Sequence, residues 1–139
     1  MAAIARGAWL LTPEWLYRSV EAGAWLPESE FEDLSFPGGK RARLAHAVGS
    51  AQLLHGLRFA LFEPRRANPP VSELRLLITS AGGVVSKKGT GADYSICAKG
   101  DSASAVTATA KGSTAVTEQW LFAALAEYKL PASAAPYAP

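Results

Sequence analysis

The stretch GAWLLTPEWL at residues 7–16 returns near the other end of the chain as GSTAVTEQWL at residues 112–121. In both copies a glycine precedes a threonine by five positions, a tryptophan follows that threonine by three, and a leucine comes next. Each copy then closes on a Leu-Pro pair, at 26–27 and at 130–131. The two threonines are 105 residues apart (117 − 12), a domain-sized step rather than the period of a solenoid. The repeat therefore predicts the end of one module followed by a whole second module of the same kind.

The bulk composition is typical of a globular chain that forms one domain or one and a half. The 139 residues are 49% hydrophobic and 19% charged, and the net charge of +2 does not demand nucleic acid as a partner. A single cysteine, Cys97, excludes an intrachain disulfide and any multi-cysteine zinc site. No apolar run approaches the roughly 20 residues that span a bilayer, so we expect no membrane partner. No motif indicates a cofactor or a metal.

The first copy predicts a strand followed by a helix. Residues 9–11 form a short apolar run that suits a buried strand, and Thr12 is a good N-cap ahead of Pro13. Gly23 supplies the end of the helix. The Ser, Phe, Pro and Gly residues at 34–39 then indicate a connector, and the alanine-rich run at 40–54 predicts a linker helix.

The second module alternates strands with helices. We predict strands at 56–62, 84–86, 92–97 and 115–116, and helices that begin near Val71, Asp101 and Thr117. This order indicates an α/β fold with a small, largely parallel four-stranded sheet flanked by helices. The last strand and helix of another unit precede it. The tail, rich in Ala, Pro and Ser, is predicted to be disordered.

The landmarks of the second module, taken in order, resemble those of the BRCT domain family. They are LHGLRF at 54–59, the helix that ends at Gly82 and Gly83, ADYSIC at 92–97, and VTEQWL at 116–121. The first copy resembles only the last strand and helix of a preceding BRCT unit, as in tandem-BRCT scaffold proteins of the DNA-damage response. The resemblance divides the chain into a first-unit fragment at 1–33, an inter-repeat linker at 34–52, a complete BRCT domain at 53–131 and the tail at 132–139.

The resemblance implies a nuclear protein-interaction module of a DNA-damage-response or chromatin scaffold. Tandem BRCT pairs typically bind phosphoserine peptides: the first unit holds the phosphate, and the groove between the units takes the side chain three residues further on. By resemblance, the phosphate-holding residues lie before Met1, so we expect this chain to lack that half. Asn68 and Pro69 match the position that lines the +3 pocket. The alternative interpretation of these two residues is a plain loop that leads into the helix.

The complete unit itself departs from the family's phosphate site. Glu63 follows the first strand, where a hydroxyl and a glycine would be wanted, and Asp101 begins the second helix in place of a lysine. The alternative function is therefore a phosphate-independent module that binds protein partners or DNA ends in a repair or replication protein. Its candidate cationic contacts are Arg58, Arg65, Arg66, Lys87 and Lys88.

The chain shows no constellation for catalysis, and we expect no enzyme activity. Cys97 belongs to an apolar strand, where a thiol is usually inert. His46 and His55 lie in the linker and at a strand start, and neither neighbours Cys97 in sequence.

The tryptophans are predicted to be landmarks of the fold rather than of chemistry. Trp15 and Trp120 should pack in a core, as Gly82 and Gly83 should end a helix. A lone strand and helix cannot close a sheet of their own. The tryptophans of the fragment, Trp9, Trp15 and Trp25, should then be partly exposed or pack on the second unit and the linker. Exposed apolar surface of this kind predicts self-association through the fragment.

Overall fold

A computed structural model describes residues 1–62, 68–86 and 90–139. Four parallel strands form one sheet in the order β2-β1-β3-β4. The strands are β1 (Arg58–Leu61), β2 (Val84–Val85), β3 (Tyr94–Cys97) and β4 (Thr114–Thr117). The α-helices are α1 (Ala2–Ala5), α2 (Pro13–Ala22), α3 (Pro37–Ala47), α4 (Val71–Ser80), α5 (Ser102–Ala110) and α6 (Glu118–Glu127). The predicted small parallel sheet flanked by helices is confirmed.

The main core lies between one face of the sheet and helices α4 and α6. Phe59, Ile96 and Val116 point from the strands into the same cluster as apolar residues of the two helices. These are Leu74, Leu77, Ile78, Trp120, Leu121 and Leu125, each at most 2% exposed. Helix α5 contacts β3 and β4. Since successive strand residues face opposite sides, Ser95 lies on the face away from this core, where its hydroxyl is 2.8 Å from that of Ser113.

Two adjacent glycines end α4 for different reasons, as the sequence predicts. Gly82 has a φ of +87°, a left-handed conformation that strains any residue with a Cβ atom. Gly83 has an ordinary φ, but a Cβ atom there would lie 2.8 Å from Cγ2 of Ile78 and 3.1 Å from the Phe59 ring. The sharp turn and the close approach of α4 to β1 both depend on this pair.

The helix of the repeated sequence phrase recurs in the structure with the same length and the same kind of ends. Helices α2 and α6 both contain ten residues, and their first residues are 105 positions apart (118 − 13). Each follows a threonine with extended backbone, Thr12 or Thr117. Each ends at a left-handed residue, Gly23 with φ 65° and Tyr128 with φ 48°.

Three predictions outside the complete unit differ from the structure. The predicted strand at 9–11 is only an isolated antiparallel bridge between Leu11 and Glu32. The linker helix begins earlier and ends earlier than predicted. It starts at Pro37, because proline suits the first helical turn, and it stops before Gly49. The tail at 132–139 contains a 3₁₀ turn, and Ala134 and Tyr137 pack partly buried against the core rather than being disordered.

Candidate functional site

Helix α1 lies against the complete unit rather than apart from it. It contacts α4 and α6, and Ile4 and Ala5 are only 2% and 0% exposed. Ala5 belongs to the same hydrophobic cluster as Leu74 of α4 and Leu125 of α6. The first segment (residues 1–33) therefore contacts helix α4, and Asn68 precedes this helix in the chain.

Helix α3 fixes that junction through two glycines. A Cβ atom at Gly38 would collide with the backbone carbonyls of Leu125 and Ala126, so α3 approaches the end of α6 more closely than any side chain allows. A Cβ atom at Gly39 would lie 2.7 Å from Cδ1 of Leu10. The linker helix is thus held between the first segment on one side and α6 on the other.

An ion pair stacked on a tryptophan joins the linker to the first segment. Arg43 donates two hydrogen bonds of 3.0 Å to the carboxylate of Glu32, and its guanidinium lies 3.7 Å from the ring centre of Trp9. Both charged side chains are largely buried, at 17% and 7% exposed. The hydrogen bonds with Glu32 raise the pKa of Arg43. No local sequence pattern predicts this cluster, because Glu32 and Arg43 are 11 positions apart and lie in two separate charged stretches.

The predicted pocket residues differ in their surroundings. Asn68 is exposed, whereas Pro69 is buried, and the peptide bond between them is cis. The carbonyl of Pro70 accepts hydrogen bonds from the amides of Glu73 and Leu74, which begins α4. Glu63, Arg65 and Arg66, on which other predictions rest, lie outside the described residues, as do Lys87 and Lys88. Of the predicted cationic contacts only Arg58 is described, and it is exposed.

The carboxylate of Asp101 lies at the N-terminus of α5. A carboxylate oxygen of Asp101 accepts a hydrogen bond of 3.0 Å from the amide of Ser104. That hydrogen bond lowers the pKa of Asp101 below its usual value. A negative charge therefore sits at the helix end where backbone N–H groups would otherwise favour a phosphate.

The two repeated tryptophans do not share an environment. Trp120 is 1% exposed and stacks on Tyr94 with 4.3 Å between ring centres, which agrees with its predicted core role. For Trp15 the repeat predicts a core position, whereas the lack of a sheet in the fragment predicts a partly exposed ring. The structure agrees with the second prediction, because Trp15 is only partly buried. It stacks at 5.0 Å on Trp25, which is 73% exposed, and its Nε1 donates to the carbonyl of Leu26. The difference arises because, in the part of the chain that the structure describes, the sheet does not cover α2.

The groups considered for nucleophilic or metal chemistry are placed as follows. Cys97 is 1% exposed in β3, and its Sγ lies 3.7 Å from the carbonyl of Ser95. The ring of His46 fills the space in front of Gly7, while His55 is exposed. In the three described ranges, no cluster of His, Cys, Asp or Glu could hold a metal ion. Over the same residues, no helix combines the length and the hydropathy needed to cross a bilayer.

Solved structures that superpose on the chain support the fold assignment. Over 93% of its length the chain superposes on 72% of a crystal structure of the S. pombe Brc1 BRCT5-BRCT6 domains, with a TM-score of 0.64 and 16% identity. The chain carries a BRCT domain. A crystal structure of Rad4 BRCT1,2 in complex with a Crb2 phosphopeptide aligns with 99% of the chain and is covered to 69%, with a TM-score of 0.57 and 17% identity. Each of these two structures contains a pair of BRCT domains.

Curated relatives extend the BRCT assignment to sequence. Microcephalin of Colobus guereza is 31% identical over 138 residues, and microcephalin of Mus musculus is 36% identical over 91 residues. The alignments cover 96% and 62% of this chain, but only 16% and 11% of those proteins. No family model matches the chain. A further solved structure that superposes on the chain, that of the fission yeast RNA polymerase II CTD phosphatase Fcp1-R271A bound to beryllium fluoride, is covered over only 32% of its length, at 18% identity and a TM-score of 0.53.

Proposed function

We propose that this chain is a protein-interaction module of a nuclear DNA-damage-response or chromatin scaffold, and that it recognises a phosphoserine peptide by the residue three positions after the phosphoserine. The observation that carries the proposal is the packing of α1 on α6 and on α4, the helix that the exposed Asn68 precedes in the chain. A first segment packed on the second unit is the arrangement that a groove between paired BRCT units would require. The chain superposes on two structures that each contain two BRCT domains, and one of these structures has a bound phosphopeptide. Both superpositions support the proposal.

The charge at the start of α5 indicates which part of the peptide this chain would bind. Asp101 already satisfies the start of α5 with a carboxylate, so a dianionic phosphate there would meet a like charge. The phosphate contacts would therefore come from a neighbouring BRCT unit, and this chain would contribute the pocket for the +3 side chain. Asn68, which is exposed, would offer an amide donor and acceptor to the peptide backbone, whereas the neighbouring Pro69 is buried.

A pair of peptides tests the proposal. The peptides carry an aromatic residue at +3 and differ only in whether the serine is phosphorylated, and backbone amide shifts of the labelled chain are followed by NMR. Both peptides should shift the signals of Asn68 and the first turn of α4, with similar weak affinity. The variant Asn68→Ala should reduce these shifts, whereas Gln119→Ala, which removes an exposed amide on α6, should not. Shifts centred on Asp101 and Ser104 that require the phosphate would contradict the proposal, as would no shifts at all.

A further inference from the structure

The two faces of the sheet are packed with side chains of different size. The face that meets α4 and α6 buries large apolar groups, such as Phe59 and Ile96. Because successive strand residues face opposite sides, Ser95 and Cys97 point away from Ile96. Among the described strand residues, those buried on their face are small, at most 5% exposed, and comprise Ala60, Ser95, Cys97 and Thr117. Small side chains bury little apolar area, so this second layer stabilises the fold much less than the main core does.

Helix α5 packs on this second layer and buries little of itself. It contacts β3 and β4. Of its nine residues, all of which the structure describes, only Ala108 is buried, and Val106 in the middle of the helix is 69% exposed. In α6, by comparison, the buried residues include Trp120 and Leu121. Helix α5 is therefore held on the sheet by far less apolar contact than the helices of the main core.

The sequence of α5 adds little helical stability of its own. A nine-residue helix is marginal in water. Val106, Thr107 and Thr109 are β-branched, and such side chains lose rotational freedom in a helix. The two threonine hydroxyls donate to carbonyls four residues earlier, at 2.9 and 3.0 Å, a bond that slightly weakens a helix. The side-chain cap of Asp101 on the amide of Ser104 is the main local support.

We propose that α5 is a cover that opens as a unit while the rest of the domain stays folded, and that its opening exposes Ser95 and Cys97. Opening costs less than global unfolding, because it separates the layer of small side chains and leaves the main core intact. The hydroxyl of Ser95, which lies 2.8 Å from that of Ser113 in the closed form, then bonds to water instead. The cover lies across the sheet from α4, the helix that Asn68 precedes, so this opening does not depend on the proposed peptide binding.

Cys97 reports the opening directly, since it is the single cysteine of the chain and is 1% exposed when α5 is closed. Its alkylation by iodoacetamide is followed by mass spectrometry from zero to low urea concentration. The rate is compared with the rate that the global unfolding equilibrium allows. We expect Cys97 to react at least about tenfold faster than that limit. The rate should hardly change at low urea, because opening exposes little surface.

Two glycine variants locate the opening in α5. Ala105→Gly and Arg75→Gly each place glycine in the middle of a helix, α5 or α4, at a position that is not buried. Ala105→Gly should raise the alkylation rate about fivefold, whereas Arg75→Gly, the matched control, should leave it unchanged. Val106→Ala introduces a better helix former at an exposed position and should slow the reaction about twofold. Far-UV circular dichroism of all three variants should match the parent chain.

Amide hydrogen exchange provides a second readout that needs no variant. The amides of α5 should exchange faster than those of α4 and α6, and with a single opening free energy. Alkylation of Cys97 at the global limit, or equal acceleration by the two glycine variants, would overturn the proposal. Alkylation as fast as in the urea-unfolded chain would overturn it as well, because α5 would then not close over the sheet.

Discussion

Helices α2 and α6 have the same length, begin with the same threonine and tryptophan-leucine spacing, and end in the same left-handed turn. Their surroundings are opposite. Leu121 of α6 is fully buried against the sheet, whereas Leu16 of α2 is half exposed. The comparison teaches that the repeated sequence specifies the helix and its ends, while the burial of its apolar face depends on contact with a sheet, which α6 makes and α2 does not make within the described residues.

Helix α2 persists without that sheet because neighbouring residues hold it. A ten-residue helix is marginal by itself in water. Here Ser19 is 4% exposed and its hydroxyl accepts a hydrogen bond from the amide of Leu26. The indole of Trp15 donates to the carbonyl of the same residue and stacks on Trp25. The segment after the helix thus folds back on it and replaces part of the missing packing.

The largest expected effect on stability comes from replacing the two corresponding tryptophans, Trp120 of α6 and Trp15 of α2. Trp120→Ala should lower the free energy of unfolding by about 3–5 kcal/mol, because it empties a fully buried site beside Tyr94 and Phe59. Trp15→Ala should cost less than about 2 kcal/mol, since it removes one hydrogen bond and a stack at the surface. Urea unfolding of the two variants measures both values, and equal losses would contradict the different roles of the two rings.

The next effect concerns the contact that ties the two regions together. Gly38→Ala should cost about 1–3 kcal/mol, because the new methyl group forces α3 away from the backbone at the end of α6. Lys40→Ala, at an exposed position of the same helix, is the control and should change stability by less than about 0.5 kcal/mol. If the Gly38 variant proved as stable as its control, the close packing of α3 on α6 would be refuted.

The ion pair over Trp9 should contribute a comparable amount. Arg43→Ala should cost about 1–3 kcal/mol, since it leaves the largely buried Glu32 without its partner, and it should change the fluorescence of Trp9. Arg41→Ala removes an ion pair with Glu127 in which both side chains are more than half exposed, and should cost less than about 1 kcal/mol. Chemical unfolding measures the loss of stability in both variants. A larger loss for Arg41→Ala than for Arg43→Ala would contradict the greater contribution of the buried ion pair.

The smallest effect is the pH dependence of the α5 cap. The pKa of Asp101 is lowered in the folded chain by its bond with Ser104, so its contribution is fully present above the ordinary value of 3.8. The contribution is lost as the pH falls through the lower pKa of the folded state. Asp101→Asn keeps a capping oxygen but removes the charge, and should abolish this part of the acid sensitivity. An unchanged pH profile of thermal unfolding would show that the carboxylate does not act in this way.

The sequence predicted the complete unit well because its signals are local. The strand positions, the Asp101 cap, the Gly82-Gly83 turn and the 105-residue repeat can all be read from short patterns. The first segment was harder, because its structure depends on contacts far apart in sequence. The pairing of Arg43 with Glu32 across Trp9, and the approach of Gly38 to the end of α6, leave no local pattern. The core position that the repeat predicts for Trp15 is wrong, whereas the partly exposed ring expected from a fragment without its own sheet agrees with the structure.

The most direct test of the comparison uses the leucine that follows each tryptophan. Leu16→Ala and Leu121→Ala change the same residue type at the same position of the two helices, and differ only in what surrounds it. Their free energies of unfolding are measured at a concentration where the chain is monomeric. Leu121→Ala should cost about 2–5 kcal/mol and Leu16→Ala less than about 1 kcal/mol. Equal costs would contradict the account, because they would mean that α2 is buried as α6 is.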